Sequence, residues 1–363
     1  MYDLYAKILN ILRLPEIIAQ LTWAVIPFAC IAALMVFVVI FLVLMERKFL
    51  AWLTVRKGPN RVGPNGFLQT FADAIKLLFK EDIMSEETNK LLFTIAPVIA
   101  FAPVMIIYGL MPFTEHLIAI NIAVGLFLVF ALSSLTTVGI VLAGWSSNNK
   151  YSLLGGMRSA AQAISYEIPL VIAVLSIAVL AGSLNLKEIV TAQSGGLFSW
   201  NIFPAFIGFI VLFICSIAEV NRVPFDLPEA ESELVSGYNT EYSGMKFALF
   251  FLAEYAALFI MSVLISTLFL GGYLPPFNDY LSIILLDNII KNQAIMDILI
   301  HLEQGFWLVA KTYTLLFLII WIRGTLPRLR ADQLMGFSWK FLLPLAFINL
   351  ILTSIIKLAI QGY

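Results

Sequence analysis

Eight apolar runs constrain this chain more than any other feature of its sequence, at 22–45, 92–111, 117–143, 160–181, 202–218, 244–270, 306–322 and 341–360. Each is long enough to cross the hydrocarbon of a bilayer as a helix, which takes about 17–25 residues. Inside lipid the backbone must satisfy its own hydrogen bonds, so such runs fold as helices. Of 363 residues, 61% are apolar and 12% charged, whereas a soluble domain is about 25% charged. The expected fold is an all-α polytopic membrane protein, a single integral membrane domain over 1–363.

The first run is too long for the apolar core of a cleaved signal peptide, and Glu46-Arg47-Lys48 follows it directly, so it reads as a span. No internal repeat is visible, which argues against the inverted-repeat design of many stand-alone secondary transporters. A formal net charge of −1 offers no basic excess for nucleic acid. Cys30 and Cys215 sit singly inside apolar runs, where an iron–sulfur or zinc site would need clustered thiolates. His116 and His301 fall in loops far apart in sequence, an arrangement unsuited to a haem held by two histidines. The chain is expected to bind no metal, haem, flavin or iron–sulfur cluster of its own.

Orientation follows from the loop bases. Loops 46–91, 144–159, 219–243 and 323–340 together carry 15 Lys and Arg, against 4 in the N-terminal segment and the other loops. The first set is expected in the cytoplasm, with both termini on the outer side.

Loop 46–91 opens on the Gly/Pro/Asn-rich stretch Arg56–Gly66, which cannot be helical throughout. Phe67, Leu68, Phe71, Ala74, Ile75, Leu78 and Phe79 then recur at helical spacing, with Gln69, Thr70, Asp73, Lys76 and Lys80 between them. That pattern predicts an amphipathic helix lying in the membrane interface. Loop 219–243 holds six carboxylates (Glu219, Asp226, Glu229, Glu231, Glu233, Glu241) against one base, Arg222. Its interleaved Val223, Phe225, Leu227, Leu234 and Val235 predict a segment packed on protein, with the acids lining a polar cavity. Loop 323–340 is basic through Arg323, Arg328, Arg330 and Lys340, a counter-charge for the acidic loop or a neighbouring subunit. Loop 271–305 is expected to carry a surface helix.

Ionisable residues inside spans are functional hypotheses by default, each costing about 2.5–3.5 kcal/mol at the bilayer centre. Glu167 lies seven residues into the 160–181 run, and Glu254 ten residues into 244–270, about 10 and 15 Å along a helix. With Glu46 and Glu219 at the ends of their runs, they make a staircase of acids. Only Lys311 and Lys357 lie well inside spans, too few bases to neutralise the set, which favours proton handling over structural pairing. Pro169 denies the Ser165 carbonyl its helical partner, freeing it for a polar cavity.

The blocks Glu46-Arg47-Lys48, RKGPNRVGPNGFLQTFADAIKLLFKE at 56–81, GWSSNNKYSLLGGMRSAAQAISYEIP at 144–169, AEVNRVPFDLPEAESELVSGYNTEYSGM at 218–245, Ala253-Glu254-Tyr255 and RGTLPRLRADQLM at 323–335 resemble the membrane-arm subunit of respiratory complex I that forms the quinone chamber. Members of that family are designated H in bacteria and 1 in mitochondria. The resemblance implies a component of a proton-pumping NADH:quinone oxidoreductase in a bacterial inner membrane, inactive alone, with quinone as substrate. Its partners would be membrane lipid, the other membrane-arm subunits, and the iron–sulfur and quinone-site subunits of the peripheral arm. The first span, interfacial helix and sixth span would frame the quinone's lateral entrance.

By position, the resemblance puts Glu46, Arg47, Asp73 and Glu81 at the chamber. It puts Glu167, Glu219, Asp226, Glu229, Glu231, Glu233, Glu241 and Glu254 on the coupling path. Arg323, Arg328 and Arg330 would stabilise the chamber or a subunit contact. The alternatives are a related hydrogenase or ferredoxin-fed complex, and a stand-alone secondary transporter.

Overall fold

The computed structural model describes residues 16–228, 231–277, 280 and 293–361, without the side chains of 16–27, 231–232, 293–295 and 361. The described chain is helical, in the order α1 (Glu16–Leu53), α2 (Gln69–Phe79), α3 (Lys90–Leu110), α4 (Gly125–Ser146), α5 (Lys150–Ala181), α6 (Leu186–Thr191), α7 (Phe206–Glu219), α8 (Glu231–Leu234), α9 (Gly244–Phe269), α10 (Gln293–Thr325), α11 (Ala331–Phe337) and α12 (Leu343–Gln361). Among the described residues seven helices are long and apolar enough to cross a membrane, and α7 is a shorter apolar one.

Several boundaries differ from those the sequence predicts. The α1 helix runs two turns past Glu46, so that acid lies within the helix rather than at its end. The Asn149 side chain caps α5 by accepting from the Tyr151 N–H, which starts that helix at Lys150 and shrinks the expected loop 144–159 to a three-residue turn. Residues 293–305, expected in a loop, are the first turns of α10, and 281–292 lie outside the described residues.

The α7 helix has 14 residues, about 21 Å at helical rise, short of a bilayer core. Its lead-in, 192–205, is irregular backbone, tolerable at membrane depth only where protein covers it. Gln193 provides much of that cover. Its amide donates to the Ile189 and Thr267 carbonyls and accepts from the Asn201 and Gly271 N–H groups, which uses both donors and both lone pairs. Asn201 adds a bond to the Leu268 carbonyl at 2.9 Å.

The centre of the bundle is α9. Its second half, Leu258–Phe269, is buried on every side, as expected of a helix apolar all round. The α1, α3, α7 and α10 helices pack around it. Lys311 of α10 caps the C-terminal end of α9, donating to the Leu270, Gly272 and Leu274 carbonyls at 2.6–2.9 Å. Lys357 of α12 does the same for α5 through the Leu180 carbonyl, at 2.7 Å. A cation at a helix C-terminus meets both orphan carbonyls and the negative end of the helix dipole. The two span lysines are thus bound to backbone.

The carbonyl freed by Pro169 accepts from Ser338 Oγ. Ser338 opens the π-helical turn Ser338–Leu342 between α11 and α12. The proline break in α5 is therefore closed by a side chain from a second irregular segment, rather than facing the cavity expected from the sequence.

Two glycines mark where backbones touch. A Cβ on Gly66 (φ +74°) would lie 2.1 Å from the Pro59 carbonyl oxygen, so the turn before α2 closes only around glycine. A Cβ on Gly139 of α4 would lie 2.6 Å from the Ala100 nitrogen of α3, the close approach that small residues permit between membrane helices. Gly139→Ala should therefore destabilise the bundle by about 1–3 kcal/mol, the usual overpacking cost. Gly305→Ala, where a Cβ meets nothing within 4 Å, should be neutral or slightly stabilising. Melting temperatures of the purified complex check both.

Candidate functional site

At the end of the bundle carrying the basic loops, four charges from different elements meet. Arg222, in the loop after α7, donates through Nη1 to the two Glu46 carboxylate oxygens at 2.9 and 3.2 Å. Its Nε lies 2.9 Å from Glu254 Oε1 of α9. Its guanidinium stacks 4.2 Å from the Tyr255 ring centre. Arg323, near the end of α10, also donates to Glu46. The Arg222 and Glu46 side chains are only 4% and 3% exposed. Two acids and two bases balance here, which is what makes burial of a charge tolerable. The shortage of bases within the spans is met by Arg222 and Arg323, brought in from the loop after α7 and the end of α10.

One residue on from Glu46, Arg47 takes a different partner. It pairs with Asp73 of α2, and Gln69 Nε2 donates to the other Asp73 oxygen at 3.2 Å. Both members of the pair line a cavity of about 620 Å³ between α1, α2 and α9. Its remaining wall is almost entirely apolar, including Val36, Val39 and Val43 of α1, Leu77 and Leu78 of α2, and Phe251 and Leu252 of α9. Leu78 and Met245 at its edge are 61% and 47% exposed, so the cavity reaches the surface. An apolar pocket of this size with a few polar groups suits a hydrophobic ligand. Glu46 does not line it, and Glu81 is exposed. Asp82, which no sequence pattern singles out, forms the neighbouring ion pair with Lys246, at 2.8 Å.

Beyond the charge cluster, Glu254 and Glu219 line a second cavity of about 50 Å³ with Thr136, Asn221 and Tyr238. A polar space above about 15 Å³ holds a water, so this cavity has room to bridge the two acids. Glu167 accepts from Ser134 Oγ of α4. Glu46 and Glu254 thus share Arg222, and Glu254 and Glu219 share the small cavity.

The acidic loop is packed, as its apolar residues predict. Phe225, Leu227 and Leu234 are buried, although Val235 is 62% exposed. Gln162 Nε2 of α5 holds the first part of the loop through the Ala218 and Phe225 carbonyls, each at 2.7 Å. Tyr242 pins its far end, stacked on Phe93 with ring centres 4.0 Å apart, and burial raises its hydroxyl pKa to about 12.

The loop acids do not share one cavity. Asp226 pairs with Arg328 at 2.9 Å and Glu233 with Arg158 at 2.6 Å, while Glu241 accepts from Asn149 at 2.7 Å. Asp226 and Glu241 are partly buried, where a carboxylate leaving water needs a donor, whereas Glu233 meets Arg158 at the surface, 52% exposed. The Arg158 guanidinium holds the Glu233 carboxyl below the usual carboxylate range. Glu229 lies outside the described residues, as does the side chain of Glu231. Arg330 is exposed.

The signal for Arg222 in the sequence is that it is the lone base of an acidic loop. Ser134, in the middle of α4, and Asn149, just before α5, carry no signal that sets them apart from other polar residues.

The NADH dehydrogenase family profile matches residues 18–354. The chain is 48% identical over 336 residues to the H subunit of the NADH-quinone oxidoreductase of Brevibacillus brevis, covering 92% of this chain and 93% of that one. It is 50% identical over 316 residues to the corresponding protein of Bacillus mycoides and 51% to that of Bacillus thuringiensis, each covering 87% of this chain and 88% of the relative.

Arg222→Met should cost about 3–5 kcal/mol, because it strips Glu254 of its counter-charge and Glu46 of one of its two. Arg222→Lys keeps the charge but loses the fork that serves both acids, and should recover only part of that stability; unfolding of the assembled complex measures both. The depressed Glu233 carboxyl makes the Arg158 contact present at neutral pH and lost as pH falls through its folded pKa. The protection of amides 231–234 from hydrogen exchange, taken relative to their intrinsic rate at each pH, should fall on acidification in the wild type, and should be low at every pH in Glu233→Gln.

Proposed function

The chain belongs to the NADH dehydrogenase family, and from that premise we propose that the cavity between α1, α2 and α9 is the lateral entrance for the quinone of an NADH-quinone oxidoreductase. The observation that carries this reading is the cavity itself, an apolar space of about 620 Å³ open at the surface of a membrane helix bundle. Its ion pair, Arg47 with Asp73, sits where a quinone's polar head group would pass. The apolar walls suit the isoprenoid tail, and the ion pair between α1 and α2 would orient the head. Reduction itself would fall to the iron–sulfur and quinone-site subunits of the peripheral arm. This reading places the basic loops in the cytoplasm and both termini outside, in the plasma membrane of a bacterium like those of its relatives.

The same geometry supports an electrostatic route for coupling. Glu46 follows α1 from the cavity wall into the cluster with Arg222 and Arg323. A change of charge or proton uptake near the head group would redistribute Arg222 between Glu46 and Glu254, its two partners. Freed from its guanidinium, Glu254 would take a proton more readily. The cavity it shares with Glu219 offers the next step, and Glu167, held by Ser134, the one after.

Ala74→Trp, which fills the cavity from α2, should raise KM for a long-tailed quinone several-fold and leave NADH:ferricyanide activity unchanged. An unaltered KM would remove the cavity from the quinone's path. Glu167→Gln should lower quinone reduction and proton pumping together, by about tenfold or some 1.4 kcal/mol of barrier, in a fully assembled complex. Unchanged turnover and pumping would take Glu167 off the route.

A further inference from the structure

At the end of the bundle opposite the acidic cluster, the two histidines of the chain meet. His116 lies in the segment joining α3 to α4 and His301 on α10, with ring centres 5.1 Å apart and planes at 89°. Far apart along the chain, they are brought into contact by the fold. We propose that His116 and His301 form a binding site for a borderline divalent ion of the zinc class, with two imidazole ligands and water completing the shell.

The spacing fits. A zinc ligated at about 2.0–2.1 Å sits about 3.2 Å from each imidazole centre, so two rings at the tetrahedral angle stand about 5.2 Å apart.

The surrounding hydrogen bonds also select the ligand nitrogen. Gln304, buried beside the pair, donates through Nε2 to the Tyr280 hydroxyl at 2.9 Å and accepts at Oε1 from the Glu115 N–H at 3.1 Å. Its oxygen is therefore the atom that faces His301 Nδ1, at 3.3 Å. An acceptor there places the proton on Nδ1 and leaves the Nε2 lone pair for a metal. A second partner that fixes tautomer and ring direction is the usual companion of a metal-binding histidine.

His116 is exposed and free to turn its own nitrogen to a shared ion. Among the neighbouring charged groups, Glu115 lies 4.0 Å from Lys187, Glu303 accepts from Trp307 Nε1, and Asp297 stands one turn before His301 on α10. Among the described residues no group of three or more His, Cys, Asp and Glu gathers for a metal, so protein supplies two ligands here and the coordination stays open. Two neutral imidazoles select zinc-like ions over magnesium or calcium. A bound ion would tie the α3–α4 connection to the start of α10.

The test uses the purified, chelator-stripped complex equilibrated with ZnCl2, desalted and analysed for metal. The wild type should retain one zinc per complex more than His116→Asn or His301→Asn. Gln304→Leu should keep the site but bind about tenfold more weakly, the usual loss when a partner behind a ligand is removed. Zinc should also shield His301 from diethylpyrocarbonate in the wild type and not in His116→Asn. Equal zinc in the wild type and His116→Asn overturns the proposal and leaves the pair as an edge-to-face ring contact. His116 is on an exposed segment, so its variant decides the matter even where His301→Asn fails to assemble.

Discussion

One guanidinium holds the basic-loop end of this molecule together. Arg222 sits between Glu46 of α1 and Glu254 of α9 and stacks on Tyr255. None of these charges is tolerable alone inside a helix bundle. The arginine therefore fixes where the loop after α7 lies and how α1 stands against α9. The apolar cavity lies between the same two helices and α2. A group that secures two acids at once is also one whose balance between them can shift, which is the basis of the coupling route proposed above.

The opposite end of the bundle solves a different problem. Irregular backbone before α7 and the C-terminal carbonyls of α9 and α5 need donors where water is scarce. Gln193, Lys311 and Lys357 supply them. The two span lysines are thus committed to carbonyls, and the inner acids take their counter-charges from elsewhere. The span charges are separated this way: Lys311 and Lys357 on backbone at one end, Arg222 and Arg323 on carboxylates at the other.

Much of this is legible in the sequence. The apolar runs locate the spans, and the spacing of Phe71, Ile75 and Leu78 locates the amphipathic α2. Phe225, Leu227 and Leu234 foretell that the acidic loop is packed rather than solvated. Helix ends are less legible, because they depend on caps such as Asn149 and on breaks such as the one before α7. Pairings are least legible of all. Asp226 with Arg328 and Glu233 with Arg158 join residues from distant segments, and no periodicity encodes such contacts.

By itself the sequence determined that this chain is a membrane-embedded helix bundle whose scarce charges gather mainly in a few loops. The physical reason is local: a run of apolar side chains in lipid has no other way to satisfy its backbone. Only the tertiary structure decided which acids are neutralised, by what, and which share a cavity. A buried charge is governed by whatever lies within a few ångströms of it, and those neighbours come from elements far apart in the chain. The His116–His301 contact makes the same point, since residues that composition counts as two isolated histidines become a pair only when α10 folds back against the connection between α3 and α4.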